Sequence, residues 1–91
     1  MIFRSIKGCG RSTGEQRCIW AAMQVWRRLP EERRERVRAL IGRIAVNGAE
    51  GRALYDVAVR GYAPAAASRR TGVSLARVYE LRRAFYERCE L

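Results

Sequence analysis

Arginine is the residue type in this sequence with the most obvious chemistry. All but one of its 19 basic residues are arginine, Lys7 being the exception, and only nine acidic residues oppose them. A guanidinium group stays charged at physiological pH and donates two parallel hydrogen bonds to phosphate oxygens. A formal charge of +10 on 91 residues attracts polyanions through steering and counterion release. Nucleic acid is therefore the first partner to consider.

Residues that commonly perform catalysis or bind metals are scarce. The sequence has no histidine, which is the commonest general base and metal ligand. Asp56 is its only aspartate, and no glutamate pair stands beside a nucleophile at an interpretable spacing. The number of cysteines is odd, and their spacing is too wide for a zinc knuckle: they are Cys9, Cys18 and Cys89. We therefore expect no enzymatic activity, no cofactor, no metal site and no disulfide framework.

The apolar residues are scattered along the chain. No apolar run approaches the roughly 18 residues of a membrane span, and the segment Met1 to Arg4 is too short for the core of a signal peptide. A hydrophobic content of 48% is too high for a disordered tail. We expect one small cytoplasmic domain, associated with the nucleoid, that has no membrane partner.

The most informative segment covers residues 64–83. Its pattern predicts a short helix, a sharp turn at Gly72 and a second helix that Ser74 caps. Ala67, Val78 and Leu81 fall where two crossed helices must bury apolar atoms, and Val73 is expected to fill the angle between the helices.

This segment resembles the helix-turn-helix of DNA-binding proteins. The residues from Gly61 through Thr71-Gly72-Val73-Ser74 to Val78 are most similar to region 4 of bacterial sigma factors and to small phage or plasmid regulators. Leu29-Pro30-Glu31-Glu32-Arg33-Arg34 is similar to the opening of that region, although an additional helix separates the two matches. Ser68 stands where such motifs usually have alanine, and Thr71 stands where they usually have a larger apolar residue.

The resemblance implies a recognition helix that begins after Ser74 and enters the major groove of double-stranded DNA. Arg77 would pair with guanine, Glu80 would accept a hydrogen bond from cytosine, and Tyr79 would reach a phosphate or a thymine methyl group. The full set of expected base-reading residues is Ser74, Ala76, Arg77, Tyr79, Glu80 and Arg83. The expected phosphate-binding residues are Arg69, Arg70 and Arg82, with Arg33 and Arg34 from the arginine-rich face of an earlier helix. That earlier face is equally well explained as a solvated surface.

The rest of the sequence must position this motif. Residues 1–14 lack periodicity, which predicts a flexible basic arm before a single helical domain that covers residues 15–91. Capping-box spacing predicts a helix from Thr13 with Gln16, Leu29-Pro30 predicts the start of another helix that ends at Asn47-Gly48, and a third is expected over residues 50–60 with Gly61 as its cap. The fold is expected to be all-α, a compact bundle of about five helices with a C-terminal helix-turn-helix.

The leading functional interpretation is a sequence-specific transcription regulator. Its small size suggests either a homodimer or a monomer that also docks on RNA polymerase. Tyr79 and Tyr86 on the last helix could form a dimer seam, although packing of this helix in the core is the preferred interpretation. The alternative is an interaction module, for example a phage-type antiterminator or activator, that binds a protein through Trp20 and Trp26. A membrane-surface helix is the weakest interpretation. Salt dependence separates the first two, because phosphate binding weakens steeply with salt and an apolar interface does not.

Overall fold

Helices form nearly all of the regular structure. The computed structural model describes residues 3–90, and these contain no strand. The fold is all-α, as the sequence predicts, with five α-helices and one 3₁₀ turn at Trp26–Arg28 between the first two. The helices are α1 (Thr13–Gln24), α2 (Glu31–Ile44), α3 (Gly48–Ala58), α4 (Pro64–Thr71) and α5 (Leu75–Arg88).

The first helix is capped one residue earlier than its sequence predicts. Thr13 and Gln16 do not form the capping box, which instead joins Ser12 to Glu15 through two reciprocal hydrogen bonds. Gln16 is buried, where its side chain accepts from the Ile6 N–H and donates to the Arg11 carbonyl. The two candidate pairs, Ser12 with Glu15 and Thr13 with Gln16, are offset by one position. A carboxylate is the stronger acceptor, and the amide of Gln16 is engaged by the preceding segment.

Asn47 begins a helix and does not end one. Helix α2 ends at Ile44, and the Asn47 side chain accepts from the Glu50 N–H at 2.9 Å, so that α3 begins at Gly48. Asn is favoured at both ends of helices, which is why the sequence alone placed this boundary wrongly. The same shift ends α3 at Ala58 with Val59 as its C-cap. Gly61 lies beyond the cap, at φ +76°, in the turn that leads to α4.

Helix α5 provides the centre of the core. Its residues Leu81 and Phe85 are fully buried, and Tyr86 and Cys89 also lie inside. The predicted apolar face of α2 is confirmed, because all four of its residues are buried in the same cluster: Val37, Leu40, Ile41 and Ile44. Burial of Tyr86 means that no exposed seam contains both Tyr79 and Tyr86.

The segment before α1 packs against the end of α5. The Gly10 N–H donates to the Glu87 carboxylate at 2.9 Å, and the Arg11 guanidinium donates to the carbonyls of Glu87 and Cys89. Ile6 and Cys9 pack against the core. The sequence assigns residues 1–14 to a flexible arm. Within the described part of that arm, these contacts attach residues 6–11 to the helical body.

The overall dimensions agree with one compact unit. The Cα radius of gyration is 12.1 Å, and a compact chain of this length is expected to have about 12 Å. The longest helices have 14 residues. Within residues 3–90, no helix has the length and apolar character needed to cross a bilayer.

Candidate nucleic-acid interface

A three-residue turn joins α4 to α5. Gly72 ends α4 at φ +79° and ψ 0°, and its N–H donates to the Ser68 carbonyl at 2.9 Å. Such a left-handed conformation is inexpensive only for glycine. Ser74 then caps α5, because its hydroxyl accepts from the Arg77 N–H at 3.2 Å. The predicted helix, turn and helix over residues 64–83 are therefore present as secondary structure.

Ser68 and Thr71 stabilise the turn through their hydroxyl groups. Ser68 Oγ donates to the Val73 carbonyl at 2.6 Å. Thr71 Oγ1 donates to the Ala67 carbonyl at 2.8 Å and accepts from the Val73 N–H at 3.3 Å. These are the two positions where the sequence departs from the family pattern. Both departures supply hydrogen bonds to backbone groups of the corner, a role that Ser and Thr commonly play in turns.

Replacing Gly72 by alanine is expected to destabilise the chain by about 1–2 kcal/mol, because an L-residue must then adopt a left-handed conformation. Apart from its chain neighbours, no described residue has a heavy atom within 4 Å of the position of the added Cβ atom, so the expected cost is strain in the backbone dihedrals. Gly42 in α2 has equally open surroundings but ordinary helical geometry. Gly42→Ala is therefore expected to stabilise by about 0.5–1 kcal/mol. Urea titration of both variants checks the pair, and equal effects would contradict the assigned role of Gly72.

Small residues hold the corner close to α3. Ala53, Ala67 and Val78 come from three different helices, are fully buried and contact one another in a separate cluster. Val73 packs on this cluster from the turn, as its position in the sequence predicts. Because alanine side chains allow close approach of helix backbones, α4 and the start of α5 are positioned firmly on α3.

The outward surface of α5 carries most of the predicted base-reading residues. Ala76, Tyr79, Glu80 and Arg83 are exposed and recur every three or four positions, so they form one stripe. Ser74 is exposed at its start. We call these five residues the outer face of α5. Tyr79 retains 47% exposure, and the Arg82 guanidinium lies 5.2 Å from its ring centre. The face thus combines an aromatic group, a carboxylate and the guanidinium of Arg83, which forms no ion pair with the described residues.

Arg77 lies at the edge of this face and is bound to Glu50. Its Nε and Nη2 atoms donate to the two carboxylate oxygens at 2.9 and 3.0 Å, across 27 positions of sequence. This ion pair lowers the pKa of Glu50, with help from the Val46 N–H, and raises the pKa of Arg77. Arg77 joins the start of α5 to the start of α3. For Arg77 to contact guanine, its ion pair with Glu50 would have to open, or its guanidinium would have to bind Glu50 and guanine at the same time.

The phosphate-binding candidates near the turn differ in their surroundings. Arg69 is exposed, and no carboxylate of residues 3–90 lies within 4 Å of it. Arg70 donates to the buried carboxylate of Asp56 at 3.2 Å. Arg82 is half-buried, and its Nε atom has no hydrogen-bond partner among the described residues. Arg69 is thus the guanidinium in this group that is most available to a phosphate.

Arg33 and Arg34 lie far from the turn. The turn lies at the start of α5, and the other end of this 14-residue helix lies about 21 Å away. Arg33, near the start of α2, lines a hollow with Cys89, which follows the end of α5. Arg34 is paired with Glu31 and donates to the Arg27 carbonyl. The two arginines therefore do not adjoin the residues around Gly72.

The cysteines are separate from one another. Cys18 is exposed, Cys9 is half-buried and Cys89 is buried, and all three are free thiols. Burial raises the pKa of Cys89 to about 11, which keeps it protonated at neutral pH. Within residues 3–90, no three histidine, cysteine or acidic side chains are grouped as metal ligands would be.

Comparison with known proteins yields no match. No protein-family model, no curated protein and no solved structure matches this chain. The function is therefore inferred from the geometry and charge of its own residues.

Proposed function

We propose that this chain is a sequence-specific DNA-binding transcription regulator, in which the outer face of α5 enters the major groove. The observation that carries the proposal is the combination of a fixed corner at Gly72 with an exposed stripe on the helix after it. A helix of 14 residues is about 21 Å long, and the major groove admits an α-helix. The net charge of +10 supplies affinity that does not depend on sequence.

The outer face of α5 offers specific contacts to base edges. Arg83 is exposed, with no carboxylate of residues 3–90 within 4 Å, so its guanidinium is available for a bidentate bond to guanine. Glu80 can accept from the amino group of cytosine, and Tyr79 can contact a phosphate or a thymine methyl group. Arg83 replaces Arg77 as the main candidate for reading guanine, because Arg77 is already bound to Glu50.

Phosphate contacts would set the orientation of the helix on the duplex. Arg69 is the first candidate, and Arg70 and Arg82 can contribute if their guanidinium groups leave Asp56 and Tyr79. Arg33 and Arg34 would reach only a separate part of the duplex. The proposed regulator would act in the cytoplasm on the nucleoid, as a homodimer on a palindromic site or as a monomer that also contacts RNA polymerase.

Selection of duplexes from a random pool, followed by mobility-shift titration, tests this proposal. Wild type is expected to enrich one sequence, and Arg83→Ala to bind it roughly 5- to 150-fold more weakly, corresponding to about 1–3 kcal/mol. Arg83→Ala should also lose the preference for guanine at the one base pair that Arg83 contacts. Arg36→Ala is the matched control, because Arg36 is an exposed arginine on α2 outside the predicted contacts. Failure to enrich any sequence, or equal losses in both variants, would contradict sequence-specific binding through α5.

A further inference from the structure

A basic groove runs along one face of α3, and it shares only Arg70 with the residues of the DNA-binding proposal. It consists of two adjoining hollows of about 850 and 490 Å³. Tyr55 and Arg60 line both. Six arginines line the combined groove, which we call the arginine groove: Arg27, Arg28, Arg38, Arg52, Arg60 and Arg70.

The arginine groove has a large excess of positive charge. Asp56 is the only carboxylate among the described residues that line it, and it is buried between Arg60 and Arg70 at 3.5 and 3.2 Å. Arg27, Arg28 and Arg52 are exposed, and no carboxylate of residues 3–90 lies within 4 Å of them. The occupant that complements this groove must therefore be anionic.

The floor of the arginine groove is partly apolar. Met23, Val25, Trp26 and Val59 line the larger hollow, and Ile41 lines the smaller one. Val25 keeps 43% of its surface exposed although it is a large apolar residue. A phosphate backbone has no apolar group that would cover such a floor, and a duplex presents a convex surface to a concave groove. The occupant therefore carries apolar groups together with its negative charge.

Stacking of nucleic-acid bases is disfavoured because the aromatic rings are already in contact with other side chains. The guanidinium groups of Arg60 and Arg70 each lie 4.8 Å from the centre of the Tyr62 ring. The Arg38 guanidinium lies 5.6 Å from the centre of the Trp26 ring, and the Tyr55 ring packs edge-to-face against it with the ring centres 6.2 Å apart. Proteins that bind single strands instead present aromatic rings on which successive bases stack. A protein segment fits the arginine groove better than a single-stranded nucleic acid.

We propose that the arginine groove binds an acidic amphipathic segment of another protein. Apolar side chains of that segment would cover Val25 and Trp26, while its carboxylates would pair with Arg27, Arg28 and Arg52. Amphipathic helices commonly dock in apolar grooves in this way, and tryptophan, tyrosine and arginine carry much of the binding energy at such interfaces. The groove lies on a different set of residues from the outer face of α5, so this inference does not depend on DNA binding.

Fluorescence anisotropy with two synthetic peptides tests the proposal. Both are about 18 residues long and carry the same number of glutamates. In the first, leucines at helical spacing form one face, and in the second serines replace these leucines. Wild type is expected to bind the leucine peptide at least tenfold more tightly than the serine peptide, because only leucine can cover the apolar floor. Equal affinity for both peptides, or no binding of either, would refute the proposal.

Two matched double variants locate the binding surface. R27Q/R28Q is expected to weaken binding of the leucine peptide at least tenfold, whereas R36Q/R43Q, which removes the same charge from exposed positions of α2, changes it less than twofold. Equal losses would indicate general charge attraction and overturn the proposal. The proposal is also overturned if R27Q/R28Q weakens binding of oligothymidylate and R36Q/R43Q does not, because the groove would then be a nucleic-acid site. A76E, on the outer face of α5, should leave peptide binding within twofold of wild type.

Discussion

Ala76→Glu is expected to abolish most of the DNA affinity while leaving the fold intact. Ala76 is an exposed residue in the first turn of α5, where a carboxylate is compatible with the positive end of the helix dipole. In the proposed complex, the same carboxylate would face the phosphates that line the major groove. Like charges placed together at an interface cost several kcal/mol, so the Kd for the selected duplex should rise at least about a hundredfold.

Ala21→Glu is the control for this prediction. It makes the same replacement at an exposed position of α1, away from the outer face of α5, and it lowers the net charge by the same amount. Its DNA affinity should fall by much less than that of Ala76→Glu, and circular dichroism should show both variants to be as helical as wild type. If both variants lose affinity equally, the interaction depends on net charge alone and α5 has no special place in it.

Phe85→Ala is expected to have the largest effect on stability. Phe85 is fully buried in the main core and lies against Tyr86, with ring centres 5.8 Å apart. Truncating a buried phenylalanine to alanine costs about 3–5 kcal/mol. Small domains have total stabilities of about 5–15 kcal/mol, so a large part of the free energy of unfolding should be lost. Chemical denaturation, followed by circular dichroism, measures this change.

Tyr79→Ala is the matched control for Phe85→Ala. It also removes an aromatic ring from α5, but from an exposed position, so its effect on stability should stay within about 0.5–1 kcal/mol. A comparable loss of stability in both variants would contradict the placement of Phe85 in the core and Tyr79 on the surface.

The sequence predicted those features of the fold that depend on local periodicity. The apolar face of α2, with Val37 and Ile44 near its ends, follows from helical spacing, and Pro30 marks its start because proline is compatible with the beginning of a helix. Gly72 and Ser74 were identified because a left-handed residue followed by a cap has a recognisable chemistry. Helix ends were placed less well. At the start of α1, both Ser12 and Thr13 have a residue three positions later that can complete a capping box. Asn47 can either end α2 or cap the start of α3.

Contacts between distant parts of the chain could not be read from the sequence. The resemblance to helix-turn-helix proteins implies that Arg77 faces DNA, and nothing in its own helix indicates the ion pair with Glu50, which comes from another helix. The attachment of Gly10 to Glu87 likewise depends on how the bundle closes. The residues of the outer face of α5 were predictable from spacing on one helix. The arginine groove was not, because four separate parts of the chain form it.

Chemical-shift mapping tests most directly whether the outer face of α5 contacts DNA. The nitrogen-15-labelled chain would be titrated with the selected duplex of about 20 base pairs at moderate salt. The largest amide shifts are expected from Ser74 to Arg83, with smaller shifts near Arg69 and little change in the arginine groove. Shifts that are largest at residues 25–28 and 52–60, with α5 unperturbed, would show that DNA binds elsewhere and would contradict the proposed recognition helix.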